Sequence, residues 1–260
     1  MGALVVAEGG AQFVAPGPQS FLYPEILPGV TKPVLQIALA VILVGAFYVI
    51  ASGRLKLVPG KGQFISEYLY DFVRNGIGRE QIAAKDLRPY LPLLLTMFTF
   101  ILVNNLFGFI PFFQLPTMAH IGFPLGLALL AWVLFIFVGI KRHGFGHYFG
   151  KTLFPPDVPK GVLILYTPIE FVSTFIFRPI TLTVRLFATM FAGHIMLLVF
   201  IEGGTFFLEQ SVIGIKFISP VAYVMAIGLS FLELLIQCLQ AYVFTMLTAN
   251  YIGGALADGH

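Results

Sequence analysis

Arg178 and Arg185 lie inside the stretch from Tyr166 to Phe200, which is otherwise apolar enough to sit in lipid. An arginine near the centre of a bilayer costs about 2.5 to 3.5 kcal/mol even on lenient insertion scales, so it normally faces protein or water and marks an ion or substrate path. Glu170, Thr174, Arg178, Thr181, Arg185 and Thr189 recur at steps of four or three, which places them on one face of a helix. Ser230, Glu233, Gln237 and Gln240 form a second stripe of the same kind further along. If the two stripes faced the same direction they would border a cavity wet enough to carry protons, with His194 and Glu233 able to load and release them. Arg185 cannot carry a proton, because a guanidinium keeps its charge. It can hold a fixed positive charge that attracts a carboxylate and blocks proton leakage past it.

Each of these residues also has a structural reading. Arg178 can snorkel to a nearby interface. Glu170, beside Pro168, can be a first-turn acid favoured by a helix dipole. His194 alone can be a packing histidine. Arg185 lies furthest inside the apolar stretch, and no acid of this chain is its obvious counter-ion: Glu233 has His194 as a competing neighbour, and Glu170 is four turns away.

The elements that position these groups must be membrane helices. Hydrophobic residues make up 58% of the 260 and charged residues 10%, with a mean hydropathy of +0.92, whereas about a quarter of the residues of a soluble protein are charged. The apolar runs are twice the length of a barrel strand, so an all-α membrane protein is expected. The net charge of +3 is small and scattered, which excludes a nucleic-acid partner, and the one cysteine, Cys238, excludes an intrachain disulfide. No secretory signal or transit peptide is evident in the Pro- and Gly-rich leader, residues 1–32, which reads as an extended external segment.

Residues 33–52 carry no charge and form the first predicted span. Arg54, Lys56, Lys61, Arg74, Arg79, Lys85 and Arg88 then crowd one loop, cytoplasmic by the positive-inside rule. Within it, residues 63–78 are amphipathic, with Phe64, Ile65, Tyr68, Leu69, Phe72 and Val73 at helical spacing; the helix lies along the interface or packs on a partner. Residues 90–111 form the second span, where Asn104 and Asn105 must point into the bundle, as helix glue or as the lining of a polar cavity. Residues 123–140 form the third, ending at Lys141, Arg142 and His143. His143 and His147 have a metal-ligand spacing, but Gly144, Gly146 and Gly150 argue against a helix and no metal site is expected.

Residues 162–200 and 212–252 are too long to stand upright, each ~58 Å against ~30 Å of hydrocarbon, so a steeply inclined helical hairpin is expected, joined by a turn containing Gly203 and Gly204. The crossings total five, with the N-terminus outside and the C-terminus in the cytoplasm. No repeat or linker divides the chain, which reads as a single membrane domain. A secondary transporter would show paired repeats and interrupted helices, and a haem-bearing membrane anchor would want a histidine pair in the membrane, where only His194 falls. An intramembrane hydrolase is disfavoured, since neither G-x-S-x-G nor H-E-x-x-H is present.

Three motifs carry a resemblance. They are RPITLTVRLFATMFAGH from Arg178 to His194, ELLIQCLQAYVFTMLT from Glu233 to Thr248, and NLFGFIP from Asn105 to Pro111. The first two are highly specific together, and over nearly its whole length the chain resembles the a subunit of the membrane sector of F-type ATP synthase. The resemblance implies a non-catalytic, proton-translocating subunit of a bacterial plasma membrane, without cofactor, with two offset half-channels serving a rotating c-ring. It implies that the hairpin faces that ring and that the peripheral stalk b subunits are partners alongside membrane lipid. Arg185 takes the place of the family's essential arginine, which meets the acid on each c subunit. His194 and Glu233 fall where family members carry an acid and a histidine in either arrangement; Gln240 matches a glutamine and Asn105 an asparagine. Thr189 departs from the usual asparagine but keeps a hydroxyl in the stripe. Glu170 and Arg178 are candidates for the exit side.

Overall fold

A computed structural model of the chain describes residues 4–6, 12–14, 16–17, 31–53, 60–110, 113, 116–153, 160–209 and 213–257. Most of the leader, Arg54, Lys56 and Pro111 lie outside the described residues. Two short strands, β1 (Leu4–Val6) and β2 (Gln12–Val14), pair antiparallel within the leader. The remaining elements are helical: α1 (Lys32–Ser52), α2 (Lys61–Val73), α3 (Arg79–Gln81), α4 (Ala84–Leu87), α5 (Leu91–Leu106), α6 (Gly122–His143), α7 (Phe145–Leu153), α8 (Lys160–Phe171), α9 (Arg178–Glu209), α10 (Ile213–Lys216) and α11 (Ile218–Leu256). Two π-helical turns interrupt them, Arg74–Gly78 after α2 and Val172–Phe177 between α8 and α9.

The chain is therefore an all-α membrane protein. Among the described residues, four helical runs are long and apolar enough to cross a bilayer: Lys32–Ser52, Gly122–His143, Leu165–Glu209 and Ile218–Leu256. Large apolar side chains stay exposed on them, such as Ile42 and Ile50 on α1 and Val224 and Leu235 on α11, as expected where lipid covers the outside. α5 is shorter than its predicted span, about 24 Å in length. It stops before the end of the NLFGFIP motif because the chain turns at Phe107–Phe109, where Gly108 approaches Pro116 so closely that a Cβ would lie 2.8 Å from the proline ring.

The last two long helices also differ from expectation at their join. Gly203 and Gly204 do not form the turn: α9 continues through them to Glu209. Gly204 instead lets α11 approach. A Cβ there would stand 3.2 Å from the Tyr223 ring, and the Ser219 hydroxyl donates to the Gly204 carbonyl at 2.7 Å. The helix that contains Leu165–Glu209 is about 68 Å long. Gly144 takes φ 81 and ends α6, after which residues 145–153 do form the helix α7 despite their glycines, with the His143 and His147 rings 6.0 Å apart.

The chain divides into two compact units. Residues 1–41, 102–120 and 187–240 make the first, residues 42–101, 121–186 and 241–260 the second. Helices α1, α5, α9 and α11 each supply residues to both. In the first unit the C-terminal half of α9 packs antiparallel on the N-terminal half of α11, and the Thr117 hydroxyl donates to Gln36 on α1 at 3.4 Å. In the second, Phe72 packs on Phe98 and Tyr242 at ring separations of 5.5 and 5.9 Å, and the Asn250 amide donates to Gln81 at 2.7 Å. Gly253 meets the Gln81 backbone too closely for any side chain. These contacts fasten the run from α2 to α3 onto α11.

Gly203 and Gly204 separate a packing role from a turn role. Gly204→Val should cost about 1–3 kcal/mol by overpacking against Tyr223 and lower the melting temperature of the purified protein. Gly203→Val, which has nothing within 4 Å of its Cβ, should leave it unchanged; equal losses would refute the packing role.

Candidate functional site

The first unit holds a buried polar cluster shared by α9 and α11. His194 on α9 and Glu233 on α11 are 6% and 8% exposed, with Nδ1 of the imidazole 3.3 Å from Oε1 of the carboxylate. The same oxygen accepts a bond from Gln237 Nε2 at 3.4 Å. One turn separates Glu233 from Gln237, so helical spacing alone delivers that contact. Asn105, near the end of α5, donates its amide to the Gln237 backbone carbonyl at 3.1 Å. Asn105 and Asn104 are both fully buried, as the sequence requires of amides in a membrane helix.

Gln240 is also buried. Among the described residues, Asn105 Oδ1, Gln237 Oε1 and Gln240 Oε1 accept no hydrogen bond from protein groups. A buried amide oxygen without a donor is costly, and an acid and an imidazole on the same helices as such groups are chemically able to exchange protons.

The second unit holds a different cluster. Arg178 Nη2 stands 3.7 Å from Glu170 Oε1, at 31% and 23% exposure, and the Thr174 hydroxyl donates to the same carboxylate oxygen at 2.8 Å. The π-helical turn at Val172–Phe177 makes this geometry possible. Eight residues along a regular α-helix would leave Glu170 and Arg178 about 80° apart; one residue added to the ladder brings them to within about 20°. The guanidinium carbon of Arg178 lies 5.7 Å from the Phe135 ring centre and 5.1 Å from that of Tyr251, close enough for cation–π attraction to both. A cavity of about 300 Å³ opens here, with His143, Tyr148, Tyr166 and Asn250 in its walls. At ~30 Å³ per water it would hold on the order of ten. Burial pushes the Tyr148 phenol up from its ordinary value, and the charge of Arg178 opposes part of that shift.

One alternative reading, that of Glu170, is removed by its place in the helix. Glu170 is not in a first helical turn, since α8 begins at Lys160 and Pro168 sits inside it. Arg178 does not reach away from the protein; an acid and two rings hold it. Arg185, seven residues on, shares its face of α9 but not its surroundings, because it is exposed with Val184, Ala188 and Ala192. Thr189 is half-buried on the same helix. Gln237, Thr174, Phe135 and Tyr251 were not among the residues singled out for the site. Gln237 and Thr174 stood in the two stripes, and Tyr251 follows Gln240 by eleven residues, three turns on the same face, but an uncharged ring carried no flag.

Long apolar helices holding an acid–imidazole cluster and an acid–guanidinium cluster define a multi-pass membrane protein that handles ions. The chain matches the ATP synthase A chain family over residues 34–253. It is 42% identical to the ATP synthase subunit a of a Nocardioides species over 96% of both chains, and 43% identical to that of Pseudarthrobacter chlorophenolicus over 98% of this chain and 97% of the relative. The corresponding protein of Rhodococcus erythropolis is 41% identical over 96% of this chain and 93% of its own. The chain belongs to the ATP synthase A chain family.

The contact between His194 and Glu233 predicts an exchange effect. In membrane vesicles, His194→Glu and Glu233→His should each slow proton pumping by tenfold or more, on the order expected for a misplaced proton-transfer group. The double exchange should recover a substantial part of the rate; a double variant no better than the worse single one would show that the pair does not act as a unit.

Proposed function

We propose that this chain is the proton-conducting stator subunit of a bacterial F-type ATP synthase, non-catalytic itself, with two aqueous half-channels that do not meet. Protons enter from the outer side past Asn105, His194, Glu233, Gln237 and Gln240, and protonate a carboxylate on the c-ring. After nearly a full turn of the ring they leave on the cytoplasmic side past Glu170 and Arg178. Arg185 separates the two routes, drawing the proton off each arriving carboxylate by stabilising its charged form. Five helices cross the membrane, α5 among them, with the last two as an inclined hairpin against the ring. The N-terminus is outside and the C-terminus in the cytoplasm, and the b subunits of the peripheral stalk hold the chain still.

The observation that carries this reading is the exposure of Arg185 on α9, where the exposed neighbours Thr181, Val184, Ala188 and Ala192 carry no charge. A permanent charge on such a face is costly in lipid, and a carboxylate on a neighbouring protein would offset it. The division of the other polar groups supports two routes rather than one pore: the acid–imidazole cluster belongs to one compact unit and the acid–guanidinium cluster to the other. A potential of 100 mV is worth about 2.3 kcal/mol per proton, so a leak past Arg185 would dissipate the gradient without turning the ring.

Arg185→Ala should abolish proton-driven ATP synthesis in reconstituted vesicles. Normal synthesis by that variant, with the complex assembled in normal amount, would sink the assignment.

A further inference from the structure

A second cavity, of about 370 Å³, lies in the second unit, and three arginines, Arg74, Arg79 and Arg88, line it together with Tyr70, Leu87 and Leu91. Like charges converge there for a structural reason. The Arg79 N–H bonds to the Arg74 carbonyl across the π-helical turn, so these residues are one turn apart, where an α-helix would set them ~140° apart. The chain then folds back with Gly78 pressed on Leu87, where a Cβ would come within 2.6 Å of the leucine side chain, and this delivers Arg88 to the same cavity. Arg74 also lies over the Tyr70 ring at 5.9 Å. Among the described residues, none of the three forms an ion pair with a carboxylate, although Asp71, Glu80 and Asp86 are close in sequence.

Planar guanidinium groups gathered without acids suit a phosphate, which they bind through paired hydrogen bonds. The same helical run exposes Phe64, Ile65 and Tyr68 between one and three turns before Arg74. On the helical wheel these residues lie about 80° to 180° from Arg74, and an exposed apolar face with basic residues on another side is what a helix lying in a membrane interface presents. We propose that Arg74, Arg79 and Arg88 bind the phosphodiester headgroup of an anionic phospholipid. The site anchors the amphipathic segment to the leaflet, and it does not depend on the proton route proposed above.

The test uses the assembled complex with the full chain, stripped of lipid in detergent and titrated with phosphatidylglycerol or phosphatidylcholine, with bound lipid counted by native mass spectrometry. Phosphatidylglycerol should bind preferentially. Arg88→Gln should weaken it about fivefold and the triple Arg74→Gln, Arg79→Gln, Arg88→Gln variant about a hundredfold, by the ordinary contribution of each basic residue near an anionic lipid. Arg88 is exposed, so the single variant reads binding without disturbing a core. Equal binding of the two lipids, or unchanged phosphatidylglycerol binding in both variants, would overturn the proposal. Displacement of phosphatidylglycerol by excess inorganic phosphate would assign the cavity to free phosphate instead, and an acidic segment of another subunit cross-linked there would assign it to protein.

Discussion

A guanidinium that cannot lose its charge, held on an open helix face among valine and alanine, is the constraint around which the chain is arranged. Lipid cannot solvate Arg185 cheaply, and the side chain is exposed on α9. Its neighbour Arg178 shows the contrasting solution. There the charge is met by Glu170 and by the faces of Phe135 and Tyr251, and the side chain is partly covered. Two arginines seven residues apart on one face thus have different surroundings because the elements packed over them differ.

The helices serve this contrast. α9 and α11 are far longer than a bilayer is thick, so each carries polar groups in both compact units. Departures from ideal helix geometry occur where chemistry is placed. One π-helical turn aligns Glu170 with Arg178, the other aligns Arg74 with Arg79, and Gly204 lets α11 lie close to α9. Close helix approach through small residues is the expected means of packing where no hydrophobic driving force exists between helices.

Much of this was legible from the residues. The apolar runs, the basic loops and the stripes on the two long helices follow from helical period and charge; Glu233, Glu170 and Arg178 stood in those stripes, and His194 stood out as an imidazole in an apolar run. The rest was hidden for physical reasons. A π-helical turn leaves no mark in a hydrophobic period, so the alignment of Glu170 with Arg178 came from counting that ignored one added residue. Gly203 and Gly204 look like a turn because glycine permits both a turn and a close approach, and only Tyr223, far away in sequence, decides between them. The different surroundings of Arg178 and Arg185 depend on Phe135 and Tyr251, which no local pattern connects to either. The end of α5 depends likewise on Pro116 reaching back to Gly108.

The central claim is that the open face of α9 around Arg185 meets a moving carboxylate on another subunit. Cysteine cross-linking tests it most directly, in a background where Cys238, exposed on α11, is replaced. Cysteines introduced one at a time along α9 would be oxidised against a cysteine beside the ring carboxylate. Bridges that stop rotation are expected from the exposed positions Thr181, Val184, Ala188 and Ala192 and not from the buried Leu182, Leu186 and Met190. Bridges from the buried set, or from neither, would contradict the account.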